Sequence, residues 1–284
     1  MPRHYFAHSI LALAAGVFFA GAARAAESPS YNFAPVNQYS LQVSAGFWNP
    51  IIEYVSKKSG VRLNLKLGRT SADATSYVLA READFAFTNR LFCPGRAGMG
   101  WTVFGRRNTP PVHAQIVVPA DSPIRRVEEL AGAPVGFPGP EAMIAYKVAY
   151  AELLHRNVPV DVVFAGNMDA VFTQLFAGKV RAAGASSQLA QHYGGRERKA
   201  FRVLWTSPPF TDLALMASPR VPAAEVRAVA RAFFDMDRDP EGQRILAEAT
   251  SLVHSDTPFT FVPATGADYA SYRAFCATAP RDVR

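Results

Sequence analysis

Cysteine is scarce in this chain. There are two among 284 residues, Cys93 and Cys276, and they form no C-x-x-C pair. Histidine is sparse as well: beyond residue 25 only His113, His155, His192 and His254 occur, widely spaced. G-x-S-x-G, H-E-x-x-H, P-loop and G-x-G-x-x-G patterns are missing, which argues against a secreted enzyme built on a known catalytic signature. His113 falls on an expected buried strand, where a core role outweighs catalysis. Basic residues exceed acidic ones, 30 to 23, but form no run. Nucleic-acid binding would need clustered Lys and Arg with interleaved aromatics, so a solvated basic surface is expected. Beyond the N-terminus no apolar run is long enough to span a membrane.

The N-terminus reads as a cleavable export signal. Arg3 and His4 make a basic start, residues 10–22 are mostly apolar, and Ala23-Arg24-Ala25 fits an A-x-A cleavage site. The apolar run is too short for a spanning helix, and no cysteine stands at the cleavage site to carry a lipid. Residues 1–25 are therefore assigned to the signal, and the mature protein is expected in the periplasm, not membrane-spanning and monomeric. Taking Arg3 and Arg24 from the 30 basic residues leaves 28 against 23 acidic ones. The remaining chain exceeds one ordinary domain, so two lobes are expected. In that compartment Cys93 and Cys276 can form one structural bridge or stay as two small buried residues. The sharper alternative is a reactive or soft-metal-binding thiol at Cys93.

The order of elements is α/β. Residues 31–37 predict a first strand, and Asn49-Pro50 predicts a helix start, with Ile51, Ile52 and Val55 on one face and Gly60 as stop. Val61, Leu63, Leu65 and Leu67 alternate with polar residues, as in a half-buried strand. A helix over 71–83 and a strand over 84–88 complete a doubly wound unit with right-handed crossovers. Strand 113–118 leads to a short helix over 121–130, with Asp121 and Ser122 offering cap oxygens, Pro123 at its first position and Gly132 after its end. A second unit follows: strands at 135–137, 160–165, 180–186 and 201–205, and helices at 141–156 and 168–177. Residues 206–210 form a rigid link, 213–217 a strand returning to the first lobe, and 223–237, 240–250 and 266–277 a helical tail. Ligands in such sheets bind beyond the C-terminal ends of strands, beside helix starts.

Several pieces, in order and spacing, resemble the solute-binding proteins of the phosphonate/phosphite/phosphate type. They are Trp48-Asn49-Pro50-Ile51, Ala83-Asp84-Phe85-Ala86-Phe87, the run 121–137 (DSPIRRVEELAGAPVGF), 163–170 (VFAGNMDA) and 203–209 (VLWTSPP). The resemblance implies a class II periplasmic-binding-protein fold, with residues 26–116 and 211–284 as one lobe, 117–210 as the other, and two hinge strands between. It implies a small-molecule solute, no cofactor, and delivery to an ABC permease. Some relatives sense arsenite for a sensor kinase instead, and a thiolate at Cys93 would suit that role.

The pattern departs from the family at its ligand turn. If Tyr146 matches the family's turn tyrosine, Ala142-Met143-Ile144-Ala145 stands where phosphonate binders carry Ser-Thr-Ser-Gly, so no hydroxyl donor remains. Glu141 beside it would repel an anion, unless it is an ordinary first-turn acid. The expected pocket therefore combines Phe47, Trp48, Phe210 and Met143 as apolar walls with Asn89, Arg90, Cys93, Glu141, Tyr146, Asn167, Ser186 and Ser187. For Phe47 core packing is the competing role. Such a mixture suits a small neutral or singly charged organic solute.

Overall fold

The computed structural model describes residues 1–2, 29–256 and 258–283. The expected signal segment falls almost wholly outside them. The first sheet opens with β1 (Ser30–Pro35), α1 (Leu41–Ser59), β2 (Arg62–Leu65), α2 (Ser71–Leu79) and β3 (Phe85–Thr88), followed by α3 (Pro94–Ala97) and β4 (Thr102–Arg107). β1 pairs in parallel with both β2 and β3, as strand–helix–strand order requires.

The helix expected to open at Asn49 starts two turns earlier. Ser40 caps α1 by accepting from the Val43 N–H, and Pro50 lies inside the helix. Its buried face carries Phe47, Trp48, Ile51, Ile52 and Val55. Gly60 ends it at φ 72°, where its N–H reaches the Ser56 carbonyl; only glycine adopts this region without strain.

The chain then crosses to a second sheet built from β5 (Ala114–Pro119), β6 (Pro134–Phe137), β7 (Asp161–Phe164), β8 (Ala182–Ser186) and β9 (Phe201–Thr206), in the order β7-β6-β8-β5-β9. The helices here are α4 (Ala149–His155), α5 (Met168–Phe176) and α6 (Ser187–Glu197). The helix expected over 121–130 is one 3-10 turn, Val127–Leu130. Glu129 closes its start by accepting from the Arg126 N–H at 3.1 Å, while Ser122 accepts from the Ile124 N–H at 3.3 Å, so each polar side chain serves its own small turn.

A second crossing returns the chain to the first sheet through β10 (Ala214–Ala217), α7 (Ala223–Phe234), α8 (Pro240–Leu252), β11 (Phe261–Pro263) and α9 (Ala270–Thr278). The first sheet then reads β11-β4-β10-β3-β1-β2, with β10 antiparallel to β3 and β4. In the second sheet β5 is antiparallel to β8 and β9. Both sheets are therefore mixed: a parallel core, with antiparallel strands where the chain crosses. The expected lobe boundary at 116/117 falls inside β5, so the crossing precedes Ala114. The two crossings pair with each other, Val112 and Phe210 exchanging N–H···O bonds of 2.8 Å in each direction. Among the described residues no helix is long and apolar enough to cross a membrane.

Candidate ligand-binding site

Between the two sheets lies a cavity of about 60 Å³, room for a solute of a few heavy atoms. Its polar wall comes from strand ends. Asn37 and Gln38 follow β1, Asn89 and Arg90 follow β3, Ser186 ends β8, and Asp212 belongs to the second crossing. Tyr272 reaches in from α9. The opposite wall is apolar: Ala142, Met143, Ile144 and Ala145, with Val112, Met168, Leu189 and Leu213.

This apolar wall starts a helix of unusual winding. Met143–Val148 form a π-helical turn that continues into α4. The expected helix start at Glu141 is thus displaced to Met143. π-turns of this kind recur at functional sites. The turn seats directly on β8, because a Cβ on Gly184 would lie 2.3 Å from the Ala145 carbonyl oxygen.

The polar groups are mostly committed to one another. Asn89 Nδ2 donates to the Tyr272 hydroxyl at 3.2 Å, and that hydroxyl donates to the Thr211 carbonyl at 2.6 Å. Asp212 is 2 % exposed and accepts from Arg107 Nε at 2.7 Å and Nη2 at 3.1 Å, and from Thr109 Oγ1 at 3.2 Å. The Arg107 guanidinium lies 5.0 Å from the Phe87 ring centroid. Burial works against its charge, but Asp212 outweighs burial and raises its pKa. Arg90 Nη1 donates to Thr75 Oγ1 at 2.7 Å, and burial pushes the Arg90 pKa down to about 10, which leaves it charged at neutral pH. Asn37 is the exception. Its Nδ2 donates to the Gly68 carbonyl, while its buried Oδ1 has no hydrogen-bond partner. A buried acceptor left in this state invites a donor from a ligand or water.

A second, outer basin of about 410 Å³ shares Arg90 and Met143 with the deep cavity. Cys93, Arg96, Glu141, Lys147 and Cys276 also line it. Arg96 donates to Glu141 through both terminal nitrogens, at 2.5 and 3.0 Å. Burial works to raise the Glu141 pKa, but Arg96 prevails and holds it below the ordinary carboxylate range. Glu141 is therefore a paired carboxylate and not a bare repelling charge. Cys93 is bonded to Cys276, the structural bridge that the export compartment allows, so the alternative of a thiolate for a thiophilic ligand has no free thiol to rest on.

The sequence-selected residues thus divide. Asn89, Arg90, Met143 and Ser186 meet in the deep cavity, and Arg90, Met143, Cys93 and Glu141 in the basin. Phe47 and Trp48 do not reach either: Trp48 packs on Phe33 and Phe87 with ring centroids 5.1 Å away, and Phe47 on Phe259 at 5.4 Å, all in the first lobe's core. Phe210 packs on Tyr272 at 5.0 Å. Tyr146 stacks on Tyr150 at 5.4 Å. Asn167 caps α5, its Oδ1 accepting from the Ala170 N–H at 2.9 Å. Ser187 Oγ accepts from the His113 N–H at 3.1 Å, tying α6 to the first crossing. Sequence reasoning missed Asn37, Gln38, Asp212 and Tyr272. Gln38 carried a usable signal, since it follows the expected strand 31–37; Tyr272, far along the chain on an ordinary amphipathic helix, carried none.

Contacts bridge the cleft. Ser40 N–H donates to Asp169 Oδ2 at 2.9 Å, and the Tyr39 hydroxyl lies 2.8 Å from His192 Nδ1; each pair joins the two lobes, as Arg96 and Glu141 do. Among the described residues no group of acidic, histidine and cysteine side chains is arranged to hold a metal ion.

A two-lobed fold with its cavity at the lobe junction has close structural counterparts. A binding protein component of an ABC phosphonate transporter from Pseudomonas aeruginosa matches with a TM-score of 0.71 at 15% identity, over 85% of this chain and 83% of that one. PhnD1 from Prochlorococcus marinus, in complex with methylphosphonate, matches with a TM-score of 0.68 at 13% identity, over 85% of this chain and 95% of that one. A Xanthomonas citri protein bound to ATP matches with a TM-score of 0.66 at 14% identity, over 88% of this chain and 96% of that one. Comparison with curated proteins yields no match. A family model described as "ABC transporter, phosphonate, periplasmic substrate-binding protein" matches residues 33–269. Proteins of this kind bind a solute and are not enzymes. The chain belongs to the periplasmic substrate-binding proteins of the phosphonate-type ABC transporter family.

Proposed function

We propose that this protein captures a small organic solute, neutral or singly charged, and presents it to an ABC permease, and that the phosphonate chemistry of its family has been replaced. One observation carries the reading. The helix start facing the cavity is Ala142-Met143-Ile144-Ala145, which offers no side-chain hydroxyl, while Asp212 stands in the same lining. A phosphonate dianion transferred there would lose its hydration and meet too few donors in return. A solute with an apolar body and one donor to meet Asn37 Oδ1 fits better. Neighbours of the same fold carry methylphosphonate in one case and ATP in another, so the fold alone does not dictate the ligand. Hinge closure on the solute would create the surface that the permease recognises.

The test is a thermal-shift series on unfolded and refolded protein, freed of carried-over ligand. A native-state ligand raises the melting temperature by mass action. Short organic acids, amides and amino acids are expected to include a stabilising compound, and methylphosphonate to give no shift. Stabilisation by methylphosphonate above every organic solute would overturn the reading.

A further inference from the structure

Lys147 is a buried cation without a fixed partner. It lies on the π-helical turn and is 9 % exposed; its backbone N–H donates to the Ala142 carbonyl, but its ammonium makes no hydrogen bond or ion pair among the described residues. Its side chain lines the outer basin with Arg90, Arg96 and Glu141. Three cations thus face one carboxylate, and that carboxylate is already held by both terminal nitrogens of Arg96. Burying an ammonium without a counter-ion is unfavourable. The strain registers on Lys147 itself: burial lowers its pKa, Arg96 and Arg90 lower it further, and Glu141 only partly opposes them. The basin also shares Arg90 and Met143 with the deep cavity, so one ligand can occupy both.

We propose that Lys147, with Arg90, forms an anion subsite in which the single negative charge of an organic carboxylate or sulfonate is held while the ligand's short apolar body enters the deep cavity. The proposal rests on the reading of a small organic solute given above and assigns its charge. It also relocates anion recognition, from the hydroxyls of a helix start to a lysine one turn further along the helix and an arginine facing it from the loop after β3. A monoanion supplies the counter-charge that Lys147 lacks. The Arg96–Glu141 pair spans the lobes beside it. This explains how a cavity poor in hydroxyls can still select an acid.

The experiment compares matched carboxylates, sulfonates and amides of two to five carbons with refolded wild-type protein, K147M and K147R, by thermal shift and titration calorimetry. In wild type the carboxylate or sulfonate should bind at least about tenfold more tightly than its amide, and K147M should erase that preference. K147R should keep most of it. K147M removes a buried charge and should melt no lower than wild type without ligand, which separates lost binding from lost fold. Equal binding of amides and acids by wild type, or an undiminished preference in K147M, would overturn the anion subsite while leaving the small-solute reading intact. Binding of methylphosphonate with every monoanion and amide silent would instead overturn that reading, and the subsite with it.

Discussion

His192 meets Tyr39 across the cleft at 2.8 Å, and the environment of each ring favours its neutral form. Burial, then the Arg107 charge, push the His192 pKa from 6.5 down to about 4, with Asp212 and Asp256 opposing and Arg196 assisting. Burial likewise raises the Tyr39 pKa to about 12. The sign for stability follows from proton counting. Between pH 6.5 and 4 the unfolded chain binds a proton at this histidine that the folded chain refuses. The contribution is therefore complete above pH 6.5 and is lost as pH falls toward 4, up to about 3 kcal/mol. Melting curves at successive pH values should fall between pH 6.5 and 4.5 more steeply for wild type than for H192Q, whose amide can still meet Tyr39. Identical slopes would mean that His192 titrates normally. Arg107 and Asp212 pair at the cavity edge, each almost wholly buried, so that each charge has its counter-charge beside it.

At the scale of elements, the π-helical turn depends on what it lies against. A Cβ at Gly184 would meet the Ala145 carbonyl at 2.3 Å and a Phe137 ring carbon at 2.4 Å, so one of them must move to admit it. G184A should therefore push the turn away from β8, destabilise the protein by about 1–3 kcal/mol and weaken binding of the solute. Denaturant unfolding reads the first effect and calorimetry the second; an unchanged midpoint would show that the turn is free to shift. The elements also differ in how plainly the sequence announced them. β3 and β6 were visible as short apolar runs, and α5 lies where a helix over 168–177 was expected. The first two turns of α1 were hidden because Asn49-Pro50 imitates a helix start, while the real cap, Ser40, stands among other polar residues. α6 was missed because two glycines and a mostly polar surface lower its local preference; only Leu189, Ala190, His192 and Tyr193 are buried, and contacts with the second sheet hold it. β4 was missed because it ends in Arg107, whose burial only the distant Asp212 makes tolerable. The π-winding was invisible because its apolar spacing reads equally well as an α-helix. In the cavity, residues just after strand ends could be found locally, whereas Asp212 and Tyr272 arrive through long-range topology.

For the whole molecule, the disulfide joins the two features that shape the site. Cys93 follows the loop that carries Asn89 and Arg90, and Cys276 lies on α9, which supplies Tyr272; the two are 183 residues apart in sequence. Beyond α9 the chain reaches the other lobe, where Ala279 and Val283 pack with Ala151, and Tyr150, Leu154 and Phe275 lie against them. One bond thus anchors a C-terminal strap that touches both lobes beside the two paired crossings. A loop of this length gives a chain-entropy stabilisation of about 5 kcal/mol as an upper figure, and measured losses on removing native bridges run from about 2 to 5 kcal/mol. Changing both cysteines to alanine avoids a stray thiol and should lower the melting temperature by on the order of 10 °C. Loss of the anchor should also loosen the strap on the second lobe, so small-angle scattering of the C93A/C276A variant should give a larger radius of gyration than wild type under identical conditions. A lower melting temperature with an unchanged radius would assign the bond to stability alone. An unchanged melting temperature would mean that α9 is held by the packing of Tyr269 and Tyr272 on Phe92, with ring centroids 4.3 and 5.6 Å away, and that the covalent link adds nothing those rings do not already supply.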